Sequence, residues 1–136
     1  MDSESRAEQK KRGLKRFFKS FGYSIDGLKY SYKYEQSMFV HITMLCFVII
    51  FGLILRISKI EWIICIILCG LVIATELINT SIEAVVDLTC PKIHPLAKIA
   101  KDTASAAVFV FAITAAISGV IIFAPKIIDF IKLYFL

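Results

Sequence analysis

Apolar residues gather in three long runs along this chain, covering 38–55, 60–88 and 97–123. At a rise of 1.5 Å per residue, the run 38–55 reaches about 27 Å, enough to cross a bilayer core as a helix. The run 60–88 is longer than a bilayer core needs, so its helix must tilt or project. Arg56, Ser58, Lys59 and Glu61 form a short polar turn between the first two runs. The loop between the second and third carries Pro91 and Pro95, which break helices. In the third run, small residues at Ala104, Ala107, Ala112, Ala115, Ala116 and Gly119 permit close helix contact. Pro125 is expected to end that helix, leaving 125–136 as a short apolar tail.

A different pattern precedes the runs. Leu14, Phe17, Phe18, Phe21, Ile25, Leu28 and Tyr32 recur at helical spacing, with Lys15, Arg16 and Lys19 off the stripe. Gly22 and Gly27 weaken such a helix by about 1 kcal/mol each relative to alanine. The pattern predicts a helix over 14–34 lying in the membrane interface, aromatic side down. Residues 1–13 are polar and basic and are expected to form a disordered tail. The fold class is therefore an all-α integral membrane protein: three transmembrane helices plus an N-terminal amphipathic interfacial helix.

Composition narrows this to one small domain. The chain has 136 residues, 58% of them hydrophobic, and a mean hydropathy of +0.76. There is no room for a separate soluble catalytic domain, so any activity is built from the spans and their flanks. The net charge is +5, and nine of the 16 basic residues lie within 1–33. Nucleic-acid binding is one reading of such a cluster. Beside a hydrophobic span, a cytoplasmic flank facing anionic lipid is the better one, and no nucleic-acid partner is expected. Three spans place the N-terminus and the Lys92/Lys98/Lys101 loop on one side, which the positive-inside rule makes cytoplasmic. Cys46, Cys65, Cys69 and Cys90 show no metal-ligand spacing and read as small apolar fillers. The first apolar run begins too late for a signal peptide, so none is expected.

The second run carries the chemistry. Glu76, Asn79, Thr80, Glu83 and Asp87 fall within about one third of a helix circumference. A charge near the bilayer centre costs roughly 2.5–3.5 kcal/mol on insertion scales, so such groups are functional by default. Glu35, before the first span, and Lys101 and Asp102, opening the third, reach the same cytoplasmic edge. Carboxylates, an amide and lysines at one interface suit phosphoryl transfer. Mg²⁺ takes one or two carboxylates plus phosphate oxygens. Lys101, Arg16 and Lys19 can oppose nucleotide phosphates, and a desolvated glutamate can accept a hydroxyl proton. An ion or proton pathway, or a structural polar network between helices, would use the same residue types. Asp87 also reads as a helix-end group reaching solvent. His41, inside the first span, matches no catalytic role and reads as a satisfied polar residue.

The run Glu76-Leu-Ile-Asn-Thr-Ser-Ile-Glu-Ala-Val-Val-Asp87, with His94-Pro-Leu-Ala-Lys-Ile-Ala-Lys-Asp102 and Ser105-Ala-Ala, resembles the small prokaryotic diacylglycerol kinases. The His-Pro-Leu-Ala-Lys loop is most similar to their Gram-positive branch, the undecaprenol kinases. The resemblance extends from about Arg16 to Pro125. It implies a homotrimer in the bacterial cell membrane, multi-pass, with active sites between subunits on the cytoplasmic side. It implies ATP, Mg²⁺ and a lipid alcohol: undecaprenol, with diacylglycerol as the alternative. By position, Glu76 resembles the catalytic base, in contact with the lipid substrate beside Ser105. Glu35 and Glu83 resemble the metal-coordinating carboxylates, which also border the nucleotide. Arg16, Lys19, Tyr23, Asn79, Lys92, Ile93, His94, Lys101 and Asp102 fall on or beside nucleotide-binding positions. A small ion or proton conductor is the non-enzymatic alternative. The apolar tail and Cys90 depart from the family pattern.

Overall fold

In lipid, every backbone N–H and C=O must find a partner within the chain, and a helix satisfies them locally. The computed structural model describes residues 14–90, 92 and 94–135, and among these all regular structure is helical. The expected tail 1–13 and the candidate Ile93 lie outside the described residues. Helix α1 spans Leu14–Tyr34, α2 Gln36–Ile54, α3 Lys59–Thr89 and α4 Pro95–Phe135. The last three are long and apolar enough to cross a membrane, and the protein is a membrane protein.

A single residue, Glu35, separates α1 from α2. Its backbone is extended (φ −103°, ψ 115°), and it stands at the N-cap of α2. Helix α1 touches α3 through small polar residues: Ser31 is 1% exposed and its Oγ lies 3.1 Å from Thr80 Oγ1. The aromatic side chains Phe17, Phe18 and Phe21 stay exposed on the chain alone.

The turn between α2 and α3 is tightly specified. Arg56 takes a left-handed conformation (φ 49°), and Ser58 and Glu61 form a reciprocal capping box that starts α3. Gly52, on the last turns of α2, lies against the Trp62 ring, where a Cβ would come within 2.7 Å of the indole. Ile57, Cys65 and Ile122 form a small core beside Trp62 and Phe123, and Lys126 Nζ pairs with Glu61 at 3.2 Å.

Helices α3 and α4 pack along one another more extensively than any other pair. The expected end at Pro125 is corrected: α4 continues through Pro125 to Phe135. Proline removes one backbone donor and crowds the preceding turn. Membrane helices tolerate this, because local adjustment and neighbouring groups re-satisfy the freed carbonyl. The segment 125–136 is therefore not a separate tail through residue 135.

Candidate active site

The polar stripe of α3 faces inward. Glu76 is 2% exposed, and Asn79 and Thr80 are also buried. The Thr80 hydroxyl donates to the Glu76 carbonyl at 3.0 Å. A hydroxyl has one proton to give, so in the Ser31–Thr80 pair Ser31 is the donor. The same stripe thus contacts α1 and carries the buried carboxylate.

The two oxygens of Glu76 have different environments. The Ser37 hydroxyl donates to Oε1. Oε2 faces His41 Nε2 at 3.8 Å. Ser37 and His41 are four residues apart on α2 and so share one helix face. His41 also lines a cavity of about 670 Å³ walled by α2, α3 and α4, with Met44, Val72, Ala116 and Gly119 among its apolar lining. Glu76 is not part of that lining, so the cavity approaches the carboxylate by way of the imidazole. Sequence reasoning set His41 and Ser37 aside or passed over them. The available signal was that Ser37 and His41 are polar residues one turn apart in the first half of a largely apolar span.

A second group lies beside the first. Asn79 Nδ2 donates to Glu83 Oε1 at 3.0 Å. The Asn79 Oδ1 is buried and, among the described residues, has no hydrogen-bond partner. Turning the amide over would set that oxygen against the carboxylate, so the orientation is fixed by charge. Glu35 sits close enough to Glu83, Glu76 and Lys101 to feel all three. Burial raises its carboxyl above the usual range, Glu83 and Glu76 raise it further, and Lys101 opposes them. Among the described residues no three His, Cys, Asp or Glu side chains gather around one point. Two hard carboxylates and a free amide oxygen fit Mg²⁺, which keeps water and substrate phosphates for its remaining positions.

Lys101 bonds Asp87 at 2.8 and 3.1 Å, and Asp102 pairs with Lys98 at 2.5 Å, one turn back. The adjacent Lys101 and Asp102 therefore point to different partners, and Asp87 is an ion-pair partner rather than a bare helix end.

The remaining candidates are not drawn into the cluster. Arg16, Lys19 and Tyr23 are exposed on α1, with the Lys19 ammonium 5.7 Å from the Tyr23 ring centroid. Lys92 and His94 are exposed in the α3–α4 loop, where His94 Nδ1 accepts from Leu96 N at 3.2 Å. Ser105 is exposed on α4.

The model of the family described as prokaryotic diacylglycerol kinase matches residues 22–123. The chain is 42% identical over 127 residues to an undecaprenol kinase of Bacillus subtilis, a match covering 93% of this chain and 100% of that protein. It is 45% identical over 106 residues to a diacylglycerol kinase of Helicobacter pylori, covering 77% of this chain and 82% of the relative. A diacylglycerol kinase of Pseudomonas aeruginosa is 39% identical over 99 residues, 72% of this chain and 80% of its own.

Proposed function

Since the chain belongs to the prokaryotic diacylglycerol kinase family and is a membrane lipid kinase, we propose that it transfers the γ-phosphate of ATP to the hydroxyl of undecaprenol, giving undecaprenyl phosphate. The observation that carries the chemistry is Glu76: a carboxylate 2% exposed inside a membrane helix, with one oxygen that has no hydrogen bond among the described residues and is turned toward an imidazole. A desolvated carboxylate of this kind is suited to take the hydroxyl proton as the oxygen attacks phosphorus.

Glu35 and Glu83 would hold Mg²⁺, with Asn79 orienting Glu83. The ion would neutralise phosphate charge and leave the γ-phosphorus open to attack. Lys101, released from Asp87, would meet the nucleotide phosphates, and Asp102 would lie beside it. Arg16, Lys19 and Tyr23 present cations and a phenol on the exposed face of α1. Lys92, Ile93 and His94 would border the nucleotide from the α3–α4 loop. Ser105 would touch the lipid.

The apolar cavity beside His41 suits a hydrocarbon chain. The basic flank supports a cytoplasmic N-terminus and a cytoplasmic site. The three spans, largely exposed on the chain alone, have apolar surface for lipid and for two further copies in a homotrimer.

Undecaprenol is favoured over diacylglycerol by the end-to-end match to the undecaprenol kinase, against the partial matches to the diacylglycerol kinases. Purified protein in micelles, offered both alcohols in competition with labelled ATP, tests this. Label is expected predominantly in undecaprenyl phosphate, and a predominance of phosphatidic acid would reverse the assignment.

A further inference from the structure

Glu76 has two helix α2 neighbours, and they do different things. Ser37 hydrogen-bonds Oε1 and so fixes the carboxylate's rotation. His41 stands 3.8 Å from Oε2, too far for a direct hydrogen bond and close enough for both to reach one small atom. An oxygen about 2.7 Å from Oε2 and about 2.9 Å from Nε2 completes such a triangle at ordinary hydrogen-bond lengths. The imidazole is only 16% exposed and forms part of the wall of the 670 Å³ apolar cavity, whereas Glu76 does not. A hydrocarbon lying in that cavity brings its terminal hydroxyl to His41 and Glu76 together.

We propose that His41 is a catalytic residue that binds the acceptor hydroxyl, sharing it with Glu76. This rests on the reading of Glu76 as the base. The facing carboxylate favours the tautomer with the proton on Nε2. That N–H donates to the acceptor oxygen, and the acceptor O–H donates to Glu76 Oε2. In the transfer, the O–H bond breaks and its proton passes to Oε2. The oxygen forms a bond to the γ-phosphorus, and the bond from phosphorus to the bridging oxygen breaks, its electron pair leaving with ADP. His41 keeps its proton throughout. Its contribution is to hold one lone pair so that another points at phosphorus, which is a positional gain. It also makes the Glu76 end of a mainly apolar cavity, whose lining otherwise includes Ser118 as a hydroxyl, selective for an alcohol over a bare hydrocarbon chain, because a largely buried N–H with no partner is penalised.

The test compares H41Q and H41M in the full chain in micelles, with undecaprenol and ATP varied separately. The two replacements are close in size and differ in the N–H donor. For H41M, kcat/KM for undecaprenol should fall about 10- to 100-fold while KM for ATP stays within about twofold of the parent. H41Q should recover to within about tenfold of the parent. A purely structural residue would lower both substrates' parameters together and would not distinguish Gln from Met. That parallel loss, or parental acceptor kinetics in H41M, overturns the proposal. E76Q, measured alongside, separates the two readings. Undiminished turnover in E76Q removes the base, whereas an inactive E76Q with a fully active H41M removes only His41.

Discussion

Lys101 Nζ lies 2.8 Å from Asp87 Oδ1, which joins the last turns of α3 to the first turns of α4 across their loop. Both side chains are substantially solvated, so the pair adds little to stability. Its consequence is positional: Asp87 holds the lysine at the edge of the Glu35–Glu83 group. D87N should raise KM for ATP by about threefold to tenfold with little change in Tm, and K101A should raise it further. Steady-state kinetics with ATP as the varied substrate, beside thermal unfolding in detergent, checks both.

Glu76→Gln keeps the Ser37 contact, since a carboxamide oxygen still accepts, and loses the capacity to take a proton. Turnover should fall about 10²- to 10⁴-fold. Mg·ATP binding, followed by calorimetry or a fluorescent nucleotide, should remain near that of the parent.

Glu35 carries a pH signature. Burial first, then Glu83 and Glu76, hold its carboxyl above the ordinary glutamate range. The metal-free folded chain therefore keeps this proton to a higher pH than the unfolded chain does. Where the unfolded state has released the proton and the folded state has not, stability falls as pH rises, and it levels off above the raised pKa. E35Q should remove this slope and be more stable than the parent at neutral pH. It should also weaken the dependence of turnover on Mg²⁺, because only the ionised carboxylate is a ligand. Thermal scans from acid to neutral pH in a chelator, and a Mg²⁺ titration of activity, read the two effects.

Gly52 has no room for a side chain. A Cβ would meet the Trp62 indole at 2.7 Å, and the ring, packed beside Ile57, has little space to withdraw. G52A should destabilise the α2–α3 hairpin by about 1–3 kcal/mol. Replacing Trp62 with the smaller Phe in the same chain should recover part of that loss. Parental thermal stability in G52A alone would refute the packing argument.

The sequence made the spans and the inward stripe legible because both are periodic properties of one helix. Glu76, Asn79 and Thr80 are buried on the face where their spacing put them, and α1 has the expected bounds of 14–34. Contacts between helices left no such trace. Ser37 and Glu76 are 39 positions apart, and nothing in either segment's pattern singles out the other. His41 reads from the sequence only as a satisfied polar residue, because the carboxylate it faces lies on a different helix. Lys101 and Asp102 are adjacent in sequence but have different partners. Successive helix residues diverge by about 100°, so the lysine turned toward α3 while Asp102 bonded one turn back. The helix continues through Pro125 because a rule strict in water is relaxed in membrane helices, where local adjustment of the backbone accommodates a proline.

Glu35 is the one non-helical residue between a 21-residue helix and a membrane span, and that makes it a pivot as well as a carboxylate. Helix α1 is a lever about 32 Å long at 1.5 Å per residue. A rotation of only 10° at the pivot would displace the far end by about 5.6 Å. The Ser31–Thr80 hydroxyl pair sits only about one turn from the fulcrum, where it resists such rotation with poor mechanical advantage. Arg16 and Lys19 ride near the tip. A grip of the proposed kind, closing those cations on a phosphate, would load the same backbone that bears the Glu35 side chain, and so would couple seating of the nucleotide to the aim of that carboxylate.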